Sequence, residues 1–174
     1  AGTAVVNPTY GEIYGTAYAS GNLNLIPEKN VSASVGLKQN FTNQENYIKA
    51  VVFRDKLTNE IKAANSAPYT PYNEVGNSKR NGVELDMQYQ LFPQTIISGN
   101  YSYLIAKNPD GTVEARRPKH SFNSQIEYQF AESKGHVALS ATRIAKNYDS
   151  YPGVWTSRKL PDYTKFDLTS SFNI

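Results

Sequence analysis

The 174-residue chain contains no cysteine, which removes disulfide frameworks and thiolate metal centres. Nowhere do about 18 apolar residues follow one another, so no membrane-spanning helix is available. Helical periodicity is almost absent, and an α/β fold would therefore lack its crossover helices. Charge is sparse as well, with 18 Lys and Arg against 15 Asp and Glu, a formal net charge of +3. The basic residues are scattered, so nucleic acid is not an expected partner. Histidine occurs only at His120 and His136, and neither stands in a nucleophile or zinc-binding motif. Neither an enzyme, nor a cofactor, nor a metal is expected. The first residues carry no charged-then-apolar leader; for an exported protein that segment is expected to have been removed or to lie outside this sequence.

What is present is alternation with a period of two. In Val83-Glu84-Leu85-Asp86-Met87-Gln88-Tyr89-Gln90-Leu91 every odd position is apolar and every even one can hydrogen-bond. Successive Cβ atoms of a strand point to opposite faces, so one sheet must separate two different environments. The same pattern sets Val31, Ala33, Val35, Leu37 and Phe41 against Ser32, Ser34, Gly36, Lys38 and Asn40. It sets Ile97, Tyr101, Tyr103 and Ile105 against Ser98, Asn100 and Ser102, and Phe122, Ile126, Tyr128 and Phe130 against Asn123, Gln125, Glu127 and Gln129. Val137, Leu139 and Ala141 oppose His136, Ser140 and Thr142, and Phe166, Leu168, Phe172 and Ile174 oppose Lys165, Asp167, Thr169, Ser171 and Asn173. Tyr47 to Lys56 is read as a further strand from its β-branched content. Mean hydropathy is −0.55, with 39% hydrophobic residues and 13 tyrosines. Strands of about 9–11 residues that alternate lipid-facing and lumen-facing side chains suit a transmembrane β-barrel.

The connections alternate between short and long. Thr42-Asn43-Gln44-Glu45, Phe92-Pro93-Gln94-Thr95 and Ala131-Glu132-Ser133-Lys134-Gly135 are short, whereas the tracts near Asn59 to Asn73, Lys107 to Ala115 and Asn147 to Pro161 are long. Outer-membrane barrels have this asymmetry, with tight periplasmic turns and long extracellular loops. Aromatic residues are expected as two boundary girdles, with Phe41, Tyr89, Phe92, Phe130 and Phe172 near the short turns and Tyr103, Tyr148, Tyr151, Trp155 and Tyr163 near the long loops.

Five ordered tracts carry a family resemblance. They are Gly2-Thr3-Ala4 with Asn7-Pro8-Thr9-Tyr10-Gly11-Glu12-Ile13-Tyr14; Gly21-Asn22-Leu23-Asn24-Leu25-Ile26-Pro27-Glu28-Lys29; Tyr72-Asn73-Glu74-Val75-Gly76 with Asn81-Gly82-Val83-Glu84-Leu85; Arg117-Pro118-Lys119-His120; and Leu160-Pro161-Asp162-Tyr163 with Phe166-Asp167-Leu168. The chain resembles the C-terminal barrel region of TonB-dependent outer-membrane receptors. Arg116 to His120 and Lys146-Asn147-Tyr148-Asp149 look most like the cobalamin (vitamin B12) receptors.

The resemblance implies an all-β, antiparallel transmembrane barrel, with about seven strands and the stub Ala1 to Val6 belonging to a barrel of roughly 22 strands. Residues 1–174 are expected to be part of that one domain, with the plug domain and the final strands absent. It further implies active import of a scarce, bulky ligand, cobalamin or a ferric siderophore or haem, driven by the TonB complex acting on the plug. The expected ligand contacts are Tyr10, Tyr14, Tyr69, Tyr72, Tyr148, Tyr151 and Trp155, since flat rings cover apolar surface at low entropy cost. For any one of these, boundary or loop packing is the more common reason for an aromatic ring. Glu84, Asp86, Gln88, Gln125, Glu127, Lys165 and Asp167 are expected to line the lumen. A passive porin and an outer-membrane hydrolase are the rival readings, and a soluble β-sandwich would require the apolar faces to pack together.

Overall fold

A computed structural model describes residues 1–41, 45–132, 134–151 and 154–173, the side chains of residues 150, 151 and 154–157 excepted. The short turn at residues 42–44 lies outside the described residues, as do the strand-end residue Ile174 and the turn residue Ser133.

The strands in chain order are β1 (Gly2–Val6), β2 (Glu28–Asn40), β3 (Tyr47–Thr58), β4 (Ile61–Ala63), β5 (Pro71–Asn73), β6 (Asn77–Phe92), β7 (Thr95–Lys107), β8 (His120–Phe130), β9 (Gly135–Ala145), β10 (Tyr148–Tyr151), β11 (Val154–Lys159) and β12 (Tyr163–Phe172). A short helix, α1 (Tyr10–Tyr14), follows β1. Among the described residues one sheet of eight strands runs β1-β2-β3-β6-β7-β8-β9-β12, while β4 pairs with β5 and β10 with β11 as separate hairpins. The eight are the seven alternating stretches plus the N-terminal stub.

Because the sheet is an antiparallel meander, successive connections fall on alternate edges. Those after β1, β3, β7 and β9 are long and share one edge; those after β2, β6 and β8 are short and share the other.

Register shows that the sheet separates two chemistries. Ile97, Ile126, Leu139 and Leu168 stand directly opposite one another across β7, β8, β9 and β12. One residue along, Ser98, Gln125, Ser140 and Asp167 form an entirely polar row on the other face. The next polar row, Asn100, Asn123, Thr142 and Lys165, is tied by Asn123 Nδ2 donating to Asn100 Oδ1 and Thr142 Oγ1 donating to Asn123 Oδ1, each at 2.9 Å. A one-residue slip would exchange the two faces, so the alternation fixes the register.

Among the described residues nothing covers the large side chains of the apolar face. Leu85, Met87, Leu91, Ile126, Leu139, Phe166 and Leu168 are all exposed, and the buried aliphatic residues of the described strands are alanines, Ala106, Ala138 and Ala145. Burial in a sandwich core would have made these large side chains the least accessible ones. The sandwich reading therefore fails, and lipid is the medium that suits such a surface.

Aromatic placement follows the strand parity. Tyr128, Phe130 and Phe172 cluster near the short-turn edge with ring centroids 6.2 and 6.3 Å apart. At the opposite edge Tyr101 and Tyr103 flank His120 on the apolar side, with Tyr101 Oη 2.8 Å from His120 Nδ1. Tyr163 corrects the girdle expectation: it stands in register with Ile144, on the side away from Phe122 and Phe166. Its odd number already separated it from the even-numbered apolar positions of β12.

The contacts divide the chain into two units, one of Ala1–Ser34, Phe53–Asn81 and Ala106–Val113, the other of Val35–Val52, Gly82–Ile105 and Glu114–Ile174. Each carries its own group of long connections.

Candidate functional site

In the first unit, three connections are fastened together by side chains from the family-like tracts. The first holds α1, which is too short to persist by propensity alone. Thr9 and Glu12 close a capping box in which Glu12 N–H donates to Thr9 Oγ1 at 3.3 Å and Thr9 N–H to Glu12 Oε2 at 2.7 Å. That box is worth about 1 kcal/mol. It sets Tyr10 and Tyr14 on one helix face, ring centroids 4.6 Å apart, with 77% and 64% of their surfaces exposed. The chain then doubles back at Gly21, where a Cβ would collide with the backbone of Ile13 to Gly15.

Asn22 and Asn73 join this loop to the β4–β5 hairpin. Asn22 Nδ2 donates to Pro71 O at 2.9 Å, and its own N–H donates to Glu12 O at 2.9 Å. Asn73 accepts from Ile26 N–H at 2.9 Å and donates to the carbonyls of Ile26 and Asn59, both at 2.8 Å. Glu28 Oε1 accepts from Ile61 N–H at 2.6 Å, and Ser20 N–H donates to Pro68 O at 2.9 Å. Tyr72 in β5 and Tyr69 in the hairpin loop are partly exposed. Tyr10, Tyr14, Tyr69 and Tyr72 thus rise from connections that hydrogen-bond to one another.

A charge network underlies the hairpin. Glu60 accepts from the buried Ser78 hydroxyl at 2.5 Å and lies 3.5 Å from Arg80 Nη2. Lys62 Nζ sits 2.5 Å from Glu74 and 3.8 Å from Glu60, and donates to Asn108 Oδ1 at 3.0 Å in the third connection. These side chains retain 16–28% of their exposure, so the pairs are only partly screened. Gly76, at φ 105°, adopts a left-handed backbone with its Cα against the Pro109 ring, which no Cβ would permit. Asp110 caps its own turn through Thr112 Oγ1 and N–H at 2.6 and 2.9 Å, and these hydrogen bonds hold its carboxyl below the usual range.

In the second unit, the β10–β11 hairpin is tied to residues 114–119. Arg116 N–H donates to Tyr148 O at 2.7 Å and its guanidinium meets Asp149 at 3.0 Å, while Arg117 pairs with Glu114 at 3.2 Å. Tyr148 is half-buried in β10. The side chains of Tyr151 and Trp155 lie outside the described residues, though their backbones belong to β10 and β11.

The polar face supplies a different surface. An open depression of about 330 Å³ is lined by Tyr47, Asp86, Ser98, Asn100, Gln125 and Thr142 among others. Tyr47 hydrogen-bonds Asp86. Glu127 lies 3.4 Å from His136 Nε2, and Lys165 lies 2.8 Å from Asp167. Among the described residues no three His, Cys, Asp or Glu side chains come together as metal ligands.

α1, the two small hairpins and the Glu60-Lys62-Glu74-Arg80 network went unread in the sequence. Thr9-x-x-Glu12 was a legible capping signal for the helix. The charge network had none, since its members meet only through the fold.

An antiparallel sheet with one apolar, unpacked face, one polar face and long connections on one edge defines an outer-membrane β-barrel wall. The family model described as TonB dependent receptor-like, beta-barrel matches residues 1–174. The chain belongs to that family of outer-membrane proteins. Among curated proteins it is similar to the vitamin B12 transporter BtuB of Vibrio vulnificus (strain YJ016), at 27% identity over 180 residues. That match covers 99% of this chain and 27% of the relative, so the chain spans about a quarter of that protein. Among solved structures, the copper transporter OprC aligns with a TM-score of 0.76 at 16% identity over 99% of this chain and 28% of its own. The pyoverdine receptor FpvA of Pseudomonas aeruginosa PAO1 gives 0.68 at 19%, covering 90% of this chain and 25% of its own. The ferric-catecholate receptor Fiu of E. coli K12 gives 0.66 at 20%, covering 98% and 24%. At these identities the structures share the fold.

Proposed function

We propose that this chain is part of the barrel domain of an outer-membrane receptor that actively imports a scarce, bulky ligand, and that cobalamin is that ligand. In this reading the long connections face outward, capture the ligand, and present it to a plug domain on which the TonB complex acts. The observation that carries it is that Tyr10, Tyr14, Tyr69 and Tyr72 are exposed and stand on loops that hydrogen-bond to one another. Exposed rings held on braced backbone give broad apolar contact at little ordering cost. Tyr148, Tyr151 and Trp155 supply further contacts from the β10–β11 hairpin. The similarity to a vitamin B12 transporter favours cobalamin, and a ferric siderophore is the second reading, favoured by the likeness to pyoverdine and catecholate receptors. The role is transport without catalysis, in keeping with the named transporters and receptors of the family.

Uptake of labelled cyanocobalamin and of ferric siderophores, in cells carrying this receptor as their single importer for each, tests the reading. Cobalamin uptake should be saturable, should need TonB, and should fall at least tenfold in Tyr10→Ala/Tyr14→Ala. Uptake of iron complexes alone would transfer the assignment to the siderophore reading, and TonB-independent uptake would overturn active import.

A further inference from the structure

Arg143 stands on the wrong face for a cation. In β9 it lies opposite Phe122 on one side and Thr164 on the other, in the row that begins at Tyr101 and one step from the row of Ala141 and Phe166. This is the apolar side, which in an outer-membrane barrel meets lipid. An arginine there is costly unless it reaches the boundary and finds water or an anion. Arg143 is two residues from the end of β9, on the long-connection edge, and is exposed. Its Nη1 donates to Thr164 Oγ1 at 3.0 Å, a bond that aims the guanidinium without neutralising it.

Other cations gather beside it. The exposed Lys146 follows β9 directly, and its carbonyl accepts from Lys119 N–H at 3.2 Å. The Lys119 ammonium lies 5.2 Å from the centroid of the Tyr103 ring, on the same lipid-facing side. Asp162 accepts from Lys146 N–H at 2.9 Å; that bond, and then the charges of Lys159, Arg143 and Lys146, hold its carboxyl below the usual range. Lys159, Arg143 and Lys146 thus share one carboxylate. The nearby acids Asp149 and Glu114 are engaged by Arg116 and Arg117, and among the described residues no ion pair joins Lys119, Arg143 or Lys146.

We propose that Arg143, Lys146 and Lys119 form a site on the outer wall for the phosphate-bearing headgroup of an outer-leaflet lipid. The guanidinium and two ammonium groups match a phosphate in charge and in hydrogen-bonding capacity. Tyr101, Tyr103 and His120 give the boundary a band of amphipathic rings. Below it, Phe122, Phe166 and the row of Ile97, Ile126, Leu139 and Leu168 offer a continuous apolar track for acyl chains. A free phosphate ion has no use for that track, so a lipid is the occupant favoured. This site is independent of the imported ligand.

Native mass spectrometry of the detergent-solubilised receptor, titrated with bis-phosphorylated lipid A and with its dephosphorylated form, tests the site. The phosphorylated lipid should be retained selectively, and added salt should weaken it. Each charge removed near an anionic lipid surface costs about fivefold, so Arg143→Gln/Lys146→Gln should lose roughly 25-fold. Equal retention of both lipids by the unaltered receptor, which needs no variant to fold, overturns the proposal. So does undiminished binding in a double variant shown folded by its heat-modifiable gel mobility. Displacement by inorganic phosphate as effectively as by lipid A would leave an anion site and overturn the lipid one.

Discussion

Replacing Leu139 by arginine places a charge where the fold allows no escape. Leu139 is the fifth of the 11 residues of β9. At about 3.4 Å per residue and a tilt near 45°, such a strand crosses roughly 26 Å, so residue 139 sits close to the bilayer midplane. Its neighbours in register are Ile126 and Leu168, whose side chains offer no hydrogen-bond partner. A cation at that depth costs about 2–4 kcal/mol, a factor of roughly 30 to 900 in the folding equilibrium. Ser140→Arg, one residue away, faces Gln125 and Asp167 in the polar row and should cost less than about 1 kcal/mol. Both variants, refolded into vesicles and titrated with guanidinium, give the two free energies under matched conditions. Equal costs, or a larger cost for Ser140→Arg, would refute the assignment of faces.

Smaller perturbations probe the loops and the edge. Thr9→Ala should destabilise the α1 connection by about 1 kcal/mol, read as faster amide exchange confined to residues 10–14. Gly21→Ala forces a Cβ against backbone, and ligand affinity should fall although the strands still form; unchanged affinity would separate this loop from the binding surface. Glu60→Gln takes one anion from beneath Lys62 and Arg80 and should destabilise the receptor by on the order of 1–3 kcal/mol, with exchange rising in the β4–β5 hairpin first. Because Asp162 is held below its ordinary pKa of 3.8, its ionised form stabilises the fold above that value, and the contribution disappears as pH falls through the lower folded pKa. Thermal melts of wild type and Asp162→Asn should therefore differ at neutral pH and converge in acid, with no change between about pH 5 and 8.

The sheet was legible in the sequence because its two faces meet different media, which writes every strand as a two-residue alternation. Val83 to Leu91 and Phe122 to Phe130 need no tertiary knowledge to be read. The connections were not legible in the same way. Asn22, Asn73 and Glu28 look like ordinary turn or cap residues, yet their partners Pro71, Ile26 and Ile61 lie 33 to 49 residues away. Periodicity reports one face of one element and is silent on such ties. The same limit hid Arg143, which reads as one polar break in an apolar face until Phe122 and Thr164 are found beside it. The tracts behind the family resemblance prove to be largely these fastenings: Gly21, Asn22, Glu28, Asn73, Gly76 and Asp162 each close a loop contact.

Spin labels placed singly at residues 137 to 144 of β9, with oxygen as the lipid-phase relaxant and a nickel chelate as the aqueous one, measure the central claim at each position. Oxygen accessibility should peak at 137, 139 and 141 and the nickel signal at 138, 140 and 142. In-phase profiles, or nickel access at residue 139, would contradict a wall with lipid on one side and water on the other.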